Sequence, residues 1–201
     1  MQWIKRAFDA VGLTQYPIGR HLAALQSRFG GSVVLCLDVS GSMGAEGTLP
    51  QAKEGCLRFV TEALAAGYSV AGVLWDSQVI GHTELDRDRA AADKLFGAAV
   101  PGGGTDVVPA LRMSERMMAG RSGDRVIAIF GDGDLGNAQL ARLEADRLAS
   151  EGIRVITCGL GDASAKELSA ISTEAGQGIR VAQQGDIADA IADMARGLRR
   201  R

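Results

Sequence analysis

The segment SVVLCLDVSGS, residues 32–42, joins an apolar run to a polar turn that contains a glycine. The run Ser32–Leu37 does not alternate between apolar and polar residues, which is typical of a strand covered by helices on both faces of a parallel sheet. Asp38 ends this strand, and Gly41 permits a tight turn shortly after it. We therefore predict a buried strand whose carboxyl end leads into a polar turn.

The change from a short apolar run to an amphipathic helical period recurs along the chain. We predict further strands at Ser69–Trp75, Gln78–His82 (paired with the strand before it), Arg125–Phe130, Ile153–Cys158 and Gly178–Val181. We predict helices at Leu49–Ala66, Arg87–Phe96, Val107–Ala119, Ala138–Ser150, Ala165–Ala175 and Asp186–Leu198. This alternation indicates an α/β fold of Rossmann-like type, with a doubly wound, mostly parallel sheet and helices on both faces.

Residues 31–198 show no internal linker, so we expect a single domain there. Residues 1–30 differ, because apolar residues at helical spacing occur on both sides of a Tyr16-Pro17 break: Ile4, Phe8 and Val11, then Leu22, Leu25 and Phe29. We predict that residues 1–30 form a helical arm that packs against the domain. The alternative is an arm that docks on a partner or, through Lys5 and Arg6, on a membrane surface. We expect residues 199–201, three arginines, to form a solvated basic tail.

Composition limits the classes of function. The 201 residues include 22 Lys+Arg and 24 Asp+Glu, which gives a formal net charge of −2. Hydrophobic residues make up 46% and charged residues 23%, as in folded soluble domains. The near-neutral balance argues against a protein whose main task is to neutralise phosphate backbones, so we expect no nucleic-acid partner.

Three sequence features bear on where in the cell the protein is expected: apolar runs, the N-terminus and the cysteines. No uninterrupted apolar run approaches the roughly 18 residues of a membrane-spanning helix, and the N-terminus lacks the order of a signal peptide. Cys36, Cys56 and Cys158 lie in apolar contexts without a CxxC pair, so we expect reduced core residues. These features predict a cytoplasmic protein without a membrane span.

Oxygen-bearing side chains follow several of the predicted strands. Asp38, Ser40 and Ser42 lie in the first turn, Thr105 follows a run of glycines, and Asp132 follows the strand Arg125–Phe130. In an open parallel sheet the loops at the carboxyl ends of the strands meet at one edge. A set made only of hydroxyl and carboxylate oxygens suits a hard divalent cation. Serine, aspartate and glycine also occur in ordinary caps and turns, so the convergence of three loops is the stronger indication.

The sequence resembles a known family at these loops. Asp38-Val39-Ser40-Gly41-Ser42-Met43, Gly103-Gly104-Thr105-Asp106 and Asp132-Gly133 resemble the metal ion-dependent adhesion site (MIDAS) of von Willebrand factor type A domains. The resemblance covers roughly residues 32–197, where Val155–Leu168 and Ile171–Gly178 look like the final strand–helix–strand of that family. One departure is Gly131, where the family usually has threonine or serine; we expect it to change the shape of the loop and not the site.

The resemblance implies a Mg²⁺ ion, with Mn²⁺ or Ca²⁺ as alternatives. Ser40, Ser42 and Thr105 would hold the ion, and Asp38 and Asp132 would contribute directly or through water. In such domains a carboxylate of the bound partner often fills the last coordination position. The implied function is therefore a metal-dependent protein-interaction module without catalysis, whose partner supplies an Asp or Glu side chain. Compact members of the family often work beside AAA+ ATPases or in multicomponent complexes, and the resemblance permits such a partner.

An enzyme is the alternative class of function. A metal-assisted phosphoryl-transfer enzyme would use the same Asp38 and Asp132. One known chemistry of this kind has a second aspartate, as general acid, two residues after the first, and this chain has Ser40 there. Residues 131–136, GDGDLG, also match a dinucleotide-binding pattern, but their aspartates would stand where a pyrophosphate needs backbone amides.

Overall fold

A computed structural model of the chain describes residues 30–45, 47–174 and 179–198. The predicted arm, except for Gly30, and the basic tail lie outside the described residues. Within the described part, the strands are β1 Ser32–Asp38, β2 Ser69–Trp75, β3 Val79–His82, β4 Arg125–Gly131, β5 Ile153–Leu160 and β6 Arg180–Ala182. They form one sheet in the order β3-β2-β1-β4-β5-β6, in which β3 runs antiparallel to β2 and the other pairs are parallel. The predicted doubly wound, mostly parallel α/β fold is confirmed.

Helices cover both faces of this sheet. They are α1 Thr48–Ala65, α2 Ala90–Gly97, α3 Val108–Met117, α4 Ala138–Ser150, α5 Gly161–Ser169 and α6 Ile187–Met194, with short 3-10 turns at Gly41–Gly44 and Ala195–Gly197. Side chains of α1, α2 and α6 share one apolar core with Leu35 of β1. Side chains of α3, α4 and α5 share a second core with Cys36 of β1. Every residue of β1 is buried because its two faces pack against different helix layers.

Two predicted helices differ from the observed ones in their boundaries. The predicted start at Arg87 is wrong: the carboxylate of Asp86 accepts hydrogen bonds from the amides of Arg87 and Asp88, so α2 begins only at Ala90. The predicted helix Ala165–Ala175 instead begins at Gly161 and ends at Ser169. In the described part of the chain, no helix is both long enough and apolar enough to cross a bilayer.

Candidate metal centre

The turn after β1 brings three of the predicted site residues together. Asp38, the last residue of β1, is fully buried, and its Oδ1 accepts a hydrogen bond from the main-chain N–H of Ser40 at 2.8 Å. The hydroxyl oxygens of Ser40 and Ser42 lie 3.1 Å apart. Alternate positions along this turn therefore point their oxygens toward one place.

The second carboxylate oxygen of Asp38 has an unusual environment. Oδ2 is buried and has no hydrogen-bond partner among the described residues. A buried carboxylate oxygen without a partner is costly, so it is a ready ligand for a cation. A Cβ at Gly131 would lie only 2.8 Å from this oxygen. Gly131 therefore packs directly against a site carboxylate, and the expectation that it alters the loop and not the site stays a prediction.

Asp132 lies next to Asp38. Burial raises the pKa of the Asp38 carboxyl to about 6, and hydrogen bonds from Ser40 oppose this increase. The negative charge of Asp132 also contributes to this increase. The carbonyl of Asp132 accepts a hydrogen bond from the Ser164 hydroxyl, which fixes the loop after β4. The ends of β1 and β4 thus place two carboxylates together.

The glycine run before Thr105 is attached to the first turn. The main-chain N–H of Gly102 donates to the carbonyl of Val39 at 2.8 Å. The N–H of Gly41, between the two site serines, donates to the carbonyl of Gly103 at 3.3 Å. Gly103 has φ of +73°, a conformation that favours glycine. The backbone before Thr105 is therefore bonded to the turn that carries Ser40 and Ser42.

The backbone around and after Thr105 is attached to the other loops. Thr105 itself is half-buried. The N–H of Asp106 donates to the carbonyl of Asp76 at 2.8 Å, directly after β2. A Cβ at Gly136 would lie 2.6 Å from the carbonyl oxygen of Thr105, so the loop after β4 packs closely against this residue. The three loops therefore converge, as predicted, through contacts of their backbones. The loop that carries Thr105 lies between the turn after β1 and the loop after β4.

Asp76 is a carboxylate of this edge that sequence reasoning missed. It follows β2 directly and is 7% exposed, and its Oδ1 accepts hydrogen bonds from the Gln78 N–H at 2.9 Å and the Ser77 hydroxyl at 3.3 Å. A Cβ at Gly103 would lie 1.9 Å from Asp76 Oδ2, so this oxygen lies against the Gly103 backbone. The rule that selected Asp38, an acid where a buried strand ends, also finds Asp76.

The residues at this edge fit a hard divalent cation. They offer a buried carboxylate oxygen that lacks a partner, two hydroxyls 3.1 Å apart and a second carboxylate beside the first. Oxygen ligands of this kind suit Mg²⁺, Mn²⁺ and Ca²⁺. Across the described ranges, no group of three or more His, Cys, Asp and Glu side chains is placed to bind a metal. A metal at this edge would therefore depend on neutral hydroxyls as well as carboxylates.

Comparisons with known proteins agree with this fold. The chain is similar over 84–85% of its length to the von Willebrand factor domain of the pilus tip protein Mfa5 from Porphyromonas gingivalis (17% identity, TM-score 0.71, 95% of that chain) and to an aerotolerance-related membrane protein from Bacteroides fragilis (20%, 0.67, 100%). It is also similar to proximal thread matrix protein 1 from the mussel byssus, whose structure has a zinc-occupied MIDAS motif (14% identity, TM-score 0.64, 84% of this chain and 46% of that chain).

The sequence itself matches a family model. A comparison with curated protein sequences gives no significant match. The model of the von Willebrand factor type A domain matches residues 33–134, a stretch that runs from β1 through the loop after β4 and includes all five predicted site residues. The chain belongs to the von Willebrand factor type A domain family.

Proposed function

We propose that this domain is a non-catalytic, metal-dependent protein-interaction module. Mg²⁺, or Mn²⁺ or Ca²⁺ in its place, would be held by the carboxylates of Asp38 and Asp132 and by the hydroxyls of Ser40, Ser42 and Thr105. The observation that carries the proposal is the buried, unpartnered Oδ2 of Asp38 beside the paired serine hydroxyls and a second carboxylate. Without a cation, this arrangement buries a carboxylate oxygen that has no hydrogen-bond partner among the described residues.

The charge balance of the donor set supports a carboxylate-bearing partner. A bound divalent cation supplies a positive centre that attracts anionic oxygens. Asp38 and Asp132 together balance two positive charges, while Ser40, Ser42 and Thr105 contribute oxygens without charge. The chain's own residues therefore do not over-neutralise the ion, and an Asp or Glu side chain of a partner can provide one further oxygen.

The similar proteins support an interaction role. One is a pilus tip protein, and another is a byssus matrix protein with zinc in its MIDAS motif. An AAA+ ATPase is a partner class that the sequence resemblance permits. Co-purification of the tagged full chain with and without chelator, followed by binding of the purified partner, would test this class.

The cysteines support a reducing compartment, and we propose the cytoplasm. Cys36, Cys56 and Cys158 are free and buried, and burial raises the pKa values of the Cys36 and Cys158 thiols to about 12. Thiols held in this protonated state are poor nucleophiles and poor metal ligands, so core packing accounts for them.

Calorimetric titration with Mn²⁺ tests the metal site. Wild type is expected to bind one ion, and Asp38→Asn is expected to lower the affinity by about 100-fold or more. Substitution of residues that only contact a metal ligand already lowers metal affinity by about 10–100-fold. Asp162→Asn is the matched control, because Asp162 is an exposed carboxylate that follows β5 at the same edge. Equal affinity in wild type and Asp38→Asn, with both proteins folded by circular dichroism, would contradict the proposal.

Water-proton relaxation tests the open coordination position. Mn²⁺ bound to wild type should enhance relaxation through coordinated water, and added sodium glutamate should lower that enhancement by displacing water. Sodium chloride at the same ionic strength is the control. An enhancement that glutamate leaves unchanged would argue against recognition of a partner carboxylate at the ion.

A further inference from the structure

We propose that Asp76 is a positioning residue, which holds Thr105 in place for metal binding by clamping the loop on both sides of it. This inference rests on the proposed metal site and adds a residue that the family resemblance does not supply. Asp76 lies directly after β2, whereas the five predicted ligands lie at or after the end of β1, before α3 and after β4. Its role would be exerted through Thr105 and not by contact with the ion.

The side chain of Asp76 forms the first half of the clamp. Its Oδ2 lies against the backbone of Gly103, where a Cβ would come within 1.9 Å. Gly103 in turn accepts, through its carbonyl, the hydrogen bond from Gly41 at 3.3 Å. Gly41 stands between Ser40 and Ser42. Asp76 therefore supports a backbone unit that is hydrogen-bonded to the serine turn between Ser40 and Ser42.

The main chain of Asp76 forms the second half. Its carbonyl accepts the N–H of Asp106 at 2.8 Å, one residue after Thr105. The side chain and the carbonyl of a single residue thus contact the loop two residues before Thr105 and one residue after it. The orientation of Asp76 is fixed, because Oδ1 accepts hydrogen bonds from Gln78 and Ser77 at the start of the β2–β3 connection.

The loop needs such support because of its composition. Gly102, Gly103 and Gly104 precede Thr105, and glycine loses more backbone freedom on ordering than any other residue. A threonine hydroxyl contributes fully to a metal site only when its position is fixed before the ion arrives. Asp76 is buried, its Oδ1 accepts two hydrogen bonds, and it lies beside the three consecutive glycines. It can therefore hold the threonine in a fixed position.

A double-mutant cycle tests whether Asp76 acts through Thr105. Mn²⁺ affinity is measured by calorimetry for wild type, Asp76→Ala, Thr105→Ala and the double variant. Asp76→Ala is expected to weaken Mn²⁺ binding by about tenfold, because substitution of a residue that orients a metal ligand typically lowers metal affinity by at least this factor. In the Thr105→Ala background, the same substitution is expected to change the affinity by less than about twofold. A purely structural role would lower the melting temperature without this dependence on Thr105.

Two further variants keep the test decisive if Asp76→Ala folds poorly. Asp76→Ser retains an oxygen that can accept from Gln78 but removes the contact with Gly103, so it should show the same loss and the same dependence on Thr105. Asp76→Asn retains the shape of the side chain and should stay within about threefold of wild type. Asp162→Asn, at an exposed position after β5 with no part in these contacts, is the control and should bind as wild type.

The outcomes separate this inference from the proposed function. Failure of the proposed function would appear as absence of Mn²⁺ binding in wild type, and it would overturn this inference as well. If wild type binds Mn²⁺, wild-type affinity in both Asp76→Ala and Asp76→Ser would overturn the role of Asp76 alone. Losses that multiply in the double variant would also overturn it, because Asp76 would then act on the ion independently of Thr105.

Discussion

The carboxylates of Asp38 and Asp132 lie together where β1 and β4 end, close enough that the negative charge of Asp132 raises the pKa of Asp38. The backbone thus holds together two groups that would otherwise repel each other. In the metal-free protein this proximity adds to the cost of burying Asp38. The same proximity becomes favourable once a cation is present, because both carboxylates can then contact it. The arrangement that favours metal binding therefore lowers the stability of the metal-free protein.

Asp38→Asn should stabilise the metal-free protein at pH 7.5. The pKa of Asp38 is raised from 3.8 to about 6, so its contribution to stability is fully present below pH 3.8 and is lost as the pH rises through about 6. Removing the charge should raise the free energy of unfolding at pH 7.5 by up to about 3 kcal/mol. Urea denaturation in EDTA, at pH 4.5 and pH 7.5, measures this.

The pH dependence supplies the control for this prediction. Between pH 4.5 and pH 7.5, wild type should lose stability relative to Asp38→Asn, while Asp162→Asn should follow wild type. Addition of Mn²⁺ at pH 7.5 should stabilise wild type and leave Asp38→Asn unchanged. A lower stability of metal-free Asp38→Asn at pH 7.5 would show that the buried charge is compensated within the protein.

Arg154→Met should destabilise the fold. At the amino end of the sheet, Arg154 lies 2.6 Å from an oxygen of Asp124 and 3.1 Å from an oxygen of Glu174, and these carboxylates are 9% and 5% exposed. Removal of the guanidinium would take one charged partner from each carboxylate, leaving Asp124 with the Tyr68 hydroxyl and Glu174 with Arg180, at a cost of about 2 kcal/mol. Equilibrium urea unfolding measures the loss.

A surface ion pair is the matched control for Arg154→Met. Arg58 and Asp189 lie 2.6 Å apart on α1 and α6 but are 47% and 70% exposed. Arg58→Met should therefore cost less than about 1 kcal/mol. Similar losses in the two variants would mean that the buried network contributes no more than a solvated pair.

Deletion of residues 1–30 should lower the melting temperature or cause self-association. The prediction comes from the sequence, in which Ile4, Phe8, Leu22, Leu25 and Phe29 have helical spacing. Burial of each such side chain is worth roughly 1.5–3 kcal/mol. Thermal unfolding and light scattering of the shortened and full chains give the comparison. A shortened protein that stays monomeric with an unchanged melting temperature would favour an arm that docks on a partner.

The domain should not turn over phosphoesters. Ser40 occupies the position where a related phosphoryl-transfer chemistry needs a carboxylic acid, and its N–H is bonded to Asp38 at 2.8 Å. Incubation of wild type with p-nitrophenyl phosphate and Mg²⁺ should release nitrophenolate at the background rate. Sustained turnover that disappears in Asp38→Asn would instead establish the enzyme alternative.

The strand that carries Asp38 was predictable, but the contacts of the threonine loop were not. β1 is recognisable because both of its faces are apolar, and the acid at its end follows from the change of polarity. The contact between Gly103 and Asp76 joins residues that are distant in sequence, and it depends on how β2 ends beside β1. The closeness of Gly131 to Asp38 was not predictable for the same reason, since no local sequence pattern shows which atom lies where a Cβ would be.

The attachment of the threonine loop has a consequence for protein engineering. Main-chain hydrogen bonds join Gly102, Gly103 and Asp106 to Val39, Gly41 and Asp76, respectively. These three chain segments would therefore have to be transferred together if the site were grafted onto another protein. Transfer of the DxSxS turn alone to another parallel sheet would import the oxygens of Asp38, Ser40 and Ser42 without the scaffold that positions the threonine. A transplant that is to bind metal must bring the end of β2 with it.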